Sequence, residues 1–185
     1  YSAQPPFKKL KIKIKPEIIS IKKNIKNISK IKKNYIEPKE LQKILDDEKE
    51  VHLLDTRNNY EINIGTFKNS KNLNILKFED FINKSDELKN LNGEVVMFCT
   101  GGIRCEKAQG YLVENGIQSF KQLKGGIINY LIETDGKYWD GECFVFDDRI
   151  TIDKELNPTY KNLCPTCQVV INSIDRTNCD CSTTL

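Results

Sequence analysis

The stretch Val95-Val-Met-Phe-Cys99-Thr-Gly-Gly-Ile-Arg104-Cys105-Glu-Lys-Ala108 decides how this chain is read. Glu94 to Phe98 is a short, strongly apolar run, the pattern of a strand buried on both faces of a sheet. A cysteine stands at its carboxyl end and a tight loop with two glycines follows. A helix is then expected from about Cys105 to Asn115, with Gly116 as its stop. Open α/β sheets bind ligands at this edge. The backbone N–H groups of Thr100, Gly101, Gly102, Ile103, Arg104 and Cys105 are candidates for an anion nest around Cys99, and the helix start adds the positive end of its dipole. Both effects favour a thiolate. Gly101 and Gly102 permit backbone angles that other residues resist, and Arg104 can clasp the loop or supply charge to an anion held in it.

Spacing separates the chemistries that such a loop can serve. Four residues lie between Cys99 and Arg104. Cysteine phosphatases place five there, a wider cradle that accepts a phosphoryl group. The shorter loop suits a smaller group, such as a terminal sulfur carried on Cys99, and favours persulfide chemistry over phosphate hydrolysis. The bland alternative is a buried cysteine with glycines serving only the turn. It does not account for strand, Cys, two Gly, Arg and helix in this order. His52 is the only histidine, sits at the start of a strand and reads as structural or exposed. The thiolate must therefore be generated by the loop's own field.

Outward from this loop the chain alternates strands and helices. Pro38 suits the first turn of a helix through about Asp47, with Leu41, Ile44 and Leu45 on one face. Val51–Asp55 is a short apolar strand ending in a carboxylate, Asn58–Ile62 a short helix, and Gly65 a turn. Phe78, Phe81, Ile82 and Leu88 mark another helix. Ser119–Leu123 is a strand, Gly125-Gly126 a turn, Ile127–Ile132 a helix and Phe144–Phe146 one last strand. The fold class is α/β, a central and mostly parallel sheet with helices on both faces. Before this body, Phe7, Leu10, Ile12 and Ile14 alternate as a strand without a visible partner, and residues 20–34 read as a basic linker with no core face.

The composition fits one domain with some surplus: 185 residues, 38% apolar, 9% aromatic, mean hydropathy −0.52. That is enough chain to bury a core without disulfide staples, and too aromatic for wholesale disorder. No run of eighteen apolar residues exists, so no membrane span is expected. The chain starts at Tyr1 and its one methionine is Met97, which reads as a processed product or a fragment; no signal-peptide pattern precedes Lys8. The net charge of +3 is uneven. Residues 1–43 carry 13 lysines against 3 glutamates, a net of +10, and the remainder, with 16 basic and 23 acidic residues, carries −7. Such an arm suits an anionic partner such as RNA, although lysine runs are usually solvated faces. With few aromatics interleaved, it permits phosphate attraction rather than base reading.

Seven cysteines without an export signal argue for thiol chemistry plus a metal or redox cluster rather than a disulfide scaffold. Cys105 and Cys143 are candidates to resolve an oxidised Cys99, and Cys105 fits a packing role equally well. Cys164, Cys167, Cys179 and Cys181 crowd the tail. The first pair has zinc-knuckle spacing, whereas the C-x-C pair closes a tight chelate. Zinc and an unmetallated or oxidisable tail both remain open. No cofactor is identified from motifs: there is no Gly-x-Gly-x-x-Gly, flavin motif or His/carboxylate iron triad.

These residues carry a family resemblance. Asp55-Thr-Arg57 with Tyr60-Glu61 and Gly65, the loop Cys99–Arg104 and the turn Gly125-Gly126 together resemble a rhodanese domain over about residues 36–135. The resemblance implies that Asp55, Arg57 and Glu61 brace the active loop, and it places Thr66 where the family usually has histidine. Cys99-Thr-Gly-Gly-Ile-Arg-Cys-Glu-Lys-Ala108, Gly125-Gly-Ile-Ile128 and Phe144-Val-Phe-Asp-Asp-Arg149 further resemble the rhodanese-containing, oxygen-dependent tRNA uridine hydroxylases, which form 5-hydroxyuridine at the wobble position. That family implies a remnant of an N-terminal ferredoxin-like domain over 1–20, a basic linker over 21–35, the rhodanese domain, and a C-terminal extension with an irregular Cys-rich tail over 136–185. It implies Cys99 as the reactive, persulfide-forming residue, molecular oxygen as co-substrate, tRNA rather than DNA as partner, and a cytoplasmic setting. A plain sulfurtransferase and a non-enzymatic zinc or RNA-binding module are the competing readings. The intact Cys99 and Arg104 argue against the latter.

Overall fold

The computed structural model describes residues 12–15, 17–21, 25, 34–117, 120–159, 161–164 and 170–172. Among the described residues, five parallel strands form the central sheet: β1 (Tyr35–Ile36), β2 (His52–Asp55), β4 (Lys71–Asn72), β5 (Val95–Phe98) and β6 (Phe120–Leu123), in the spatial order β1-β6-β5-β2-β4. β5 is the middle strand and all four of its residues are buried. Val95 and Met97 face one core, Val96 and Phe98 the other, and each such side chain taken from water is worth about 1.5–3 kcal/mol. This two-sided burial is why the apolar run reads so clearly in the sequence.

α4 (Ile103–Glu114) covers the first face through Ala108, Tyr111 and Leu112, joined by Phe81 of the short α3 (Phe81–Lys84). α1 (Pro38–Asp46) and α5 (Gly126–Glu133) cover the second through Leu41, Ile127, Tyr130 and Leu131. Pro38 occupies the start of α1, where its missing N–H costs nothing. The helix expected around Phe78–Leu88 is three short pieces, a 3₁₀ turn at Phe78–Asp80, α3, and a second 3₁₀ turn at Ser85–Leu88.

Three sequence expectations are corrected. Gly65 does not turn the chain. It opens β3 (Gly65–Phe67), which pairs antiparallel with β7 (Trp139–Gly141), so the region after Trp139 returns to the body. Residues 20–34 are not without a core face. Ile21 is fully buried and Ile25 nearly so, both in the core with Met97 and Leu112, and Glu17 pairs with Lys107 of α4 at 2.9 Å. In the alternating stretch 7–14, Phe7 and Leu10 lie outside the described residues, while Ile12 and Ile14 are exposed and in no strand. The last expected strand is the hairpin of β8 (Cys143–Phe144) and β9 (Thr151–Ile152). A further hairpin joins β10 (Lys161–Leu163) to β11 (Val170–Asn172). Among the described residues no helix is long and apolar enough to cross a membrane.

Candidate active site

The strand order puts the site where the chain reverses its direction of travel across the sheet. β2 leads outward to β4, and β5 returns to lie on the other side of β2. A crevice opens at such a switch point, beyond the carboxyl ends of the strands. β2 ends at Asp55, in register with Phe98 at the end of β5, so the segments 55–58 and 99–104 flank it.

Cys99 follows β5 directly and only 2% of its surface is exposed. The loop after it is held from behind. Ile127 and Ile128 in the first turn of α5 donate their N–H groups to the carbonyls of Cys99 (3.0 Å) and Thr100 (3.1 Å). With those carbonyls drawn away, the opposite side of the loop presents donors, and the Gly102 N–H lies 3.1 Å from the Cys99 sulfur. Of the two loop glycines, Gly102 takes the left-handed conformation (φ +90°). α4 begins at Ile103, two residues earlier than expected. Arg104 and Cys105 thus occupy its first turn, whose N–H groups have no partner within the helix.

The Cys99 thiol is lowered to about 6. The chief cause is a hydrogen bond from the Cys105 thiol. Burial opposes it, and the Arg104 charge and the N–H groups of Cys105 and Arg104 assist. Cys105 moves the other way, its thiol pushed well up by burial and by the Cys99 charge it faces. The opposed shifts favour the charge on Cys99 and the proton on Cys105. Thr56 completes the arrangement. Its hydroxyl donates to the Phe98 carbonyl at 3.0 Å and lies 3.4 Å from the Cys105 sulfur. Sequence reasoning missed Thr56, since a threonine between the acid and the arginine of a motif carries no signal of its own.

Two buried ion pairs frame the loop, and they do different work. Glu61, fully buried, takes Arg104 in a two-point grip, Nη1 to Oε1 at 2.5 Å and Nη2 to Oε2 at 2.7 Å. It also accepts from the Asn58 N–H at 3.1 Å and, at 3.5 Å, from the Thr100 hydroxyl. Arg104 additionally donates to Thr100 Oγ1 at 3.3 Å, so this pair ties the active loop to α2 (Asn59–Ile62). Asp55 and Arg57 form the other pair (Nη2 to Oδ2 2.6 Å, Nε to Oδ1 2.9 Å). Arg57 donates to the Gly65 carbonyl at 2.6 Å and lies over Trp139, and Asp55 accepts from Thr66 Oγ1 at 2.8 Å. Among the described residues, the side-chain bonds of Asp55 and Arg57 run to each other and to Gly65 and Thr66 of β3, which pairs with β7. Thr66 fills the usual histidine position as a donor to this carboxylate.

The remaining candidates divide. Ile103 is half-exposed at the helix start. His52 sits at the opposite end of β2, its Nε2 2.9 Å from the Asn92 carbonyl. Cys143 lies in the core on the other face of the sheet from Cys99 and Cys105, donates to the Phe144 carbonyl at 3.6 Å, and has its thiol pushed up to about 12 by burial. It is no partner for Cys99. Cys164 is buried beside Ile171, whereas Cys167, Cys179 and Cys181 lie outside the described residues.

A buried cysteine on a glycine loop, with four residues between it and Arg104, at the switch point of a parallel sheet fits the rhodanese class, and the Rhodanese-like domain family matches residues 37–133. The rhodanese-like domain of an Anabaena protein shares the fold, with a TM-score of 0.50 over 59% of this chain and 80% of that domain at 17% identity. Proteins named tRNA uridine(34) hydroxylase are more similar in sequence. One from Picosynechococcus is 42% identical over 94% of this chain and 59% of its own length, and one from Rickettsia rickettsii 42% identical over 88% of this chain and 67% of its own. The chain belongs to the rhodanese-like domain family and, within it, to the family of the tRNA uridine(34) hydroxylases. It spans about three-fifths of the length of the Picosynechococcus relative.

Proposed function

We propose that this protein belongs to a tRNA-modifying enzyme that hydroxylates the wobble uridine to 5-hydroxyuridine in an oxygen-dependent reaction in the cytoplasm, with Cys99 as its reactive group. The observation that carries the reading is the intact Cys99 loop in a chain 42% identical to a tRNA uridine(34) hydroxylase over nearly all its length. The chain's own contribution is to hold sulfur as a thiolate at neutral pH, to place backbone N–H groups around it, and to shield it from bulk water. The lysine-rich residues 1–43 supply charge for tRNA phosphates, an attraction that weakens with salt.

The test is genetic and chemical. Deleting the gene should remove 5-hydroxyuridine-derived wobble nucleosides from tRNA, as read by nucleoside mass spectrometry. A wild-type copy should restore them and a Cys99→Ser copy should not. Restoration by Cys99→Ser would contradict the reading. The short loop with a donor on the sulfur also favours a second reading, sulfur transfer from a persulfide on Cys99. Thiosulfate-to-cyanide transfer by a protein that leaves tRNA unmodified would select it.

A further inference from the structure

The β8–β9 hairpin sets an aromatic cluster at the mouth of the site. Phe146, at the hairpin tip, is 63% exposed. It meets Phe144 edge to face at 5.1 Å, and Phe144, itself buried, meets Tyr60 at 5.3 Å. The Arg104 guanidinium carbon lies 5.7 Å from the centre of the Phe146 ring, so the exposed phenyl adjoins the residue that clasps the Cys99 loop. The tip is held in place. Arg149 grips Asp147 through two side-chain bonds of 2.6 and 2.9 Å, and the Val145 N–H donates to the Ile150 carbonyl at 2.8 Å. Phe146 is thus presented by a fixed turn.

The two arginines beside the ring are already matched, Arg104 by Glu61 and Arg149 by Asp147. What the mouth offers is therefore the exposed Phe146 ring, the kind of surface on which proteins stack unpaired bases. Cys99 is buried, and a base inside a helix must leave its stack to be reached.

We propose that Phe146, backed by Phe144 and Tyr60, is the platform on which an unstacked pyrimidine of a single-stranded RNA loop rests while its edge faces the Cys99 loop. The proposal rests on the tRNA reading above, and its test separates the two. In the full-length protein, Phe146→Ala should raise the KM for tRNA about tenfold, the loss typical of one base–aromatic stack. Phe146→Tyr should restore it, and the alkylation profile of Cys99 should stay unchanged. Phe146→Trp places an indole at the tip, and a uridine-containing RNA hairpin should quench its fluorescence beyond any quenching of the unsubstituted protein. That quenching needs no turnover, so it decides the platform even if the Cys99→Ser experiment overturns the hydroxylase reading. An unchanged KM in Phe146→Ala, or no added quenching in Phe146→Trp, would overturn the platform.

Discussion

Replacing Glu61 by Gln should cost roughly 3–5 kcal/mol of folding stability, the loss expected when one partner of a buried ion pair is removed. The carboxylate is surrounded by donors only: both Arg104 nitrogens, the Asn58 N–H and the Thr100 hydroxyl. An amide turns one of its own donors toward them and leaves the Arg104 charge buried without a counter-charge. For a chain of this size the melting temperature should fall by roughly 10 °C. Activity should fall with it, since Arg104 is one of the groups that favour the Cys99 thiolate. The double variant Glu61→Leu/Arg104→Met removes both charges, and on the record of buried pairs it should regain most of the stability without regaining activity. Thermal and urea unfolding of the three proteins checks this. A Glu61→Gln protein as stable as its parent would show that the clasp does not hold the loop.

Replacing Gly126 by Ala should be comparably damaging through packing alone. A Cβ built there would stand 2.3 Å from the Cys99 carbonyl oxygen, 2.7 Å from that of Thr100 and 2.9 Å from the Gly102 nitrogen. These are backbone atoms of the active loop, so no side chain can swing aside. The φ of +67° adds conformational strain. Together these should cost about 3 kcal/mol or more. Relief comes only by moving the loop off the start of α5, which loosens the bonds from Ile127 and Ile128 and with them the Gly102 donor on Cys99. Gly116→Ala is the control, with a positive φ of +78° and nothing within 4 Å of the new carbon. It should lose about 1 kcal/mol and keep the reactivity of Cys99. Equal losses in the two variants would mean that the α5–loop contact carries no weight.

Much of the site is legible in the sequence because its parts are local. The buried strand, the cysteine at its end, the two glycines and the arginine are consecutive, and each has a physical reason to stand next to the other. The alternation of helix and strand from Pro38 to Glu133 is legible for a related reason, since a two-sided parallel sheet forces continuous apolar runs such as Val95–Phe98. What escapes is what pairs across distance. Gly65 meets Gly141 in a ladder between segments some seventy residues apart, and no periodicity announces it. Ile21 and Ile25 are apolar points in a lysine-rich stretch that patterning assigns to solvent. Thr56, Cys105 and Cys99 join only once β2 and β5 lie side by side. The division of labour between the two ion pairs also needs the structure. Asp55-Thr-Arg57 and Glu61 belong to one short motif, yet Arg57 bonds to Gly65 of β3 while Glu61 bonds to Arg104 of the loop.

The fold favours a Cys99 thiolate near neutral pH, and the pH dependence of Cys99 alkylation reports on it. A thiol lowered to about 6 is deprotonated above that pH and protonated below it. The iodoacetamide rate at Cys99, followed by peptide mass spectrometry, should therefore sit on a plateau at pH 7–8 and fall as pH drops through about 6. Cys105→Ala removes the principal donor and should move the midpoint upward, while Cys105→Ser, which keeps a donor, should hold it nearer its place. A Cys99 rate still climbing above pH 8 in the unsubstituted protein, with Cys105→Ala no different, would mean that the loop and Cys105 do not stabilise the thiolate.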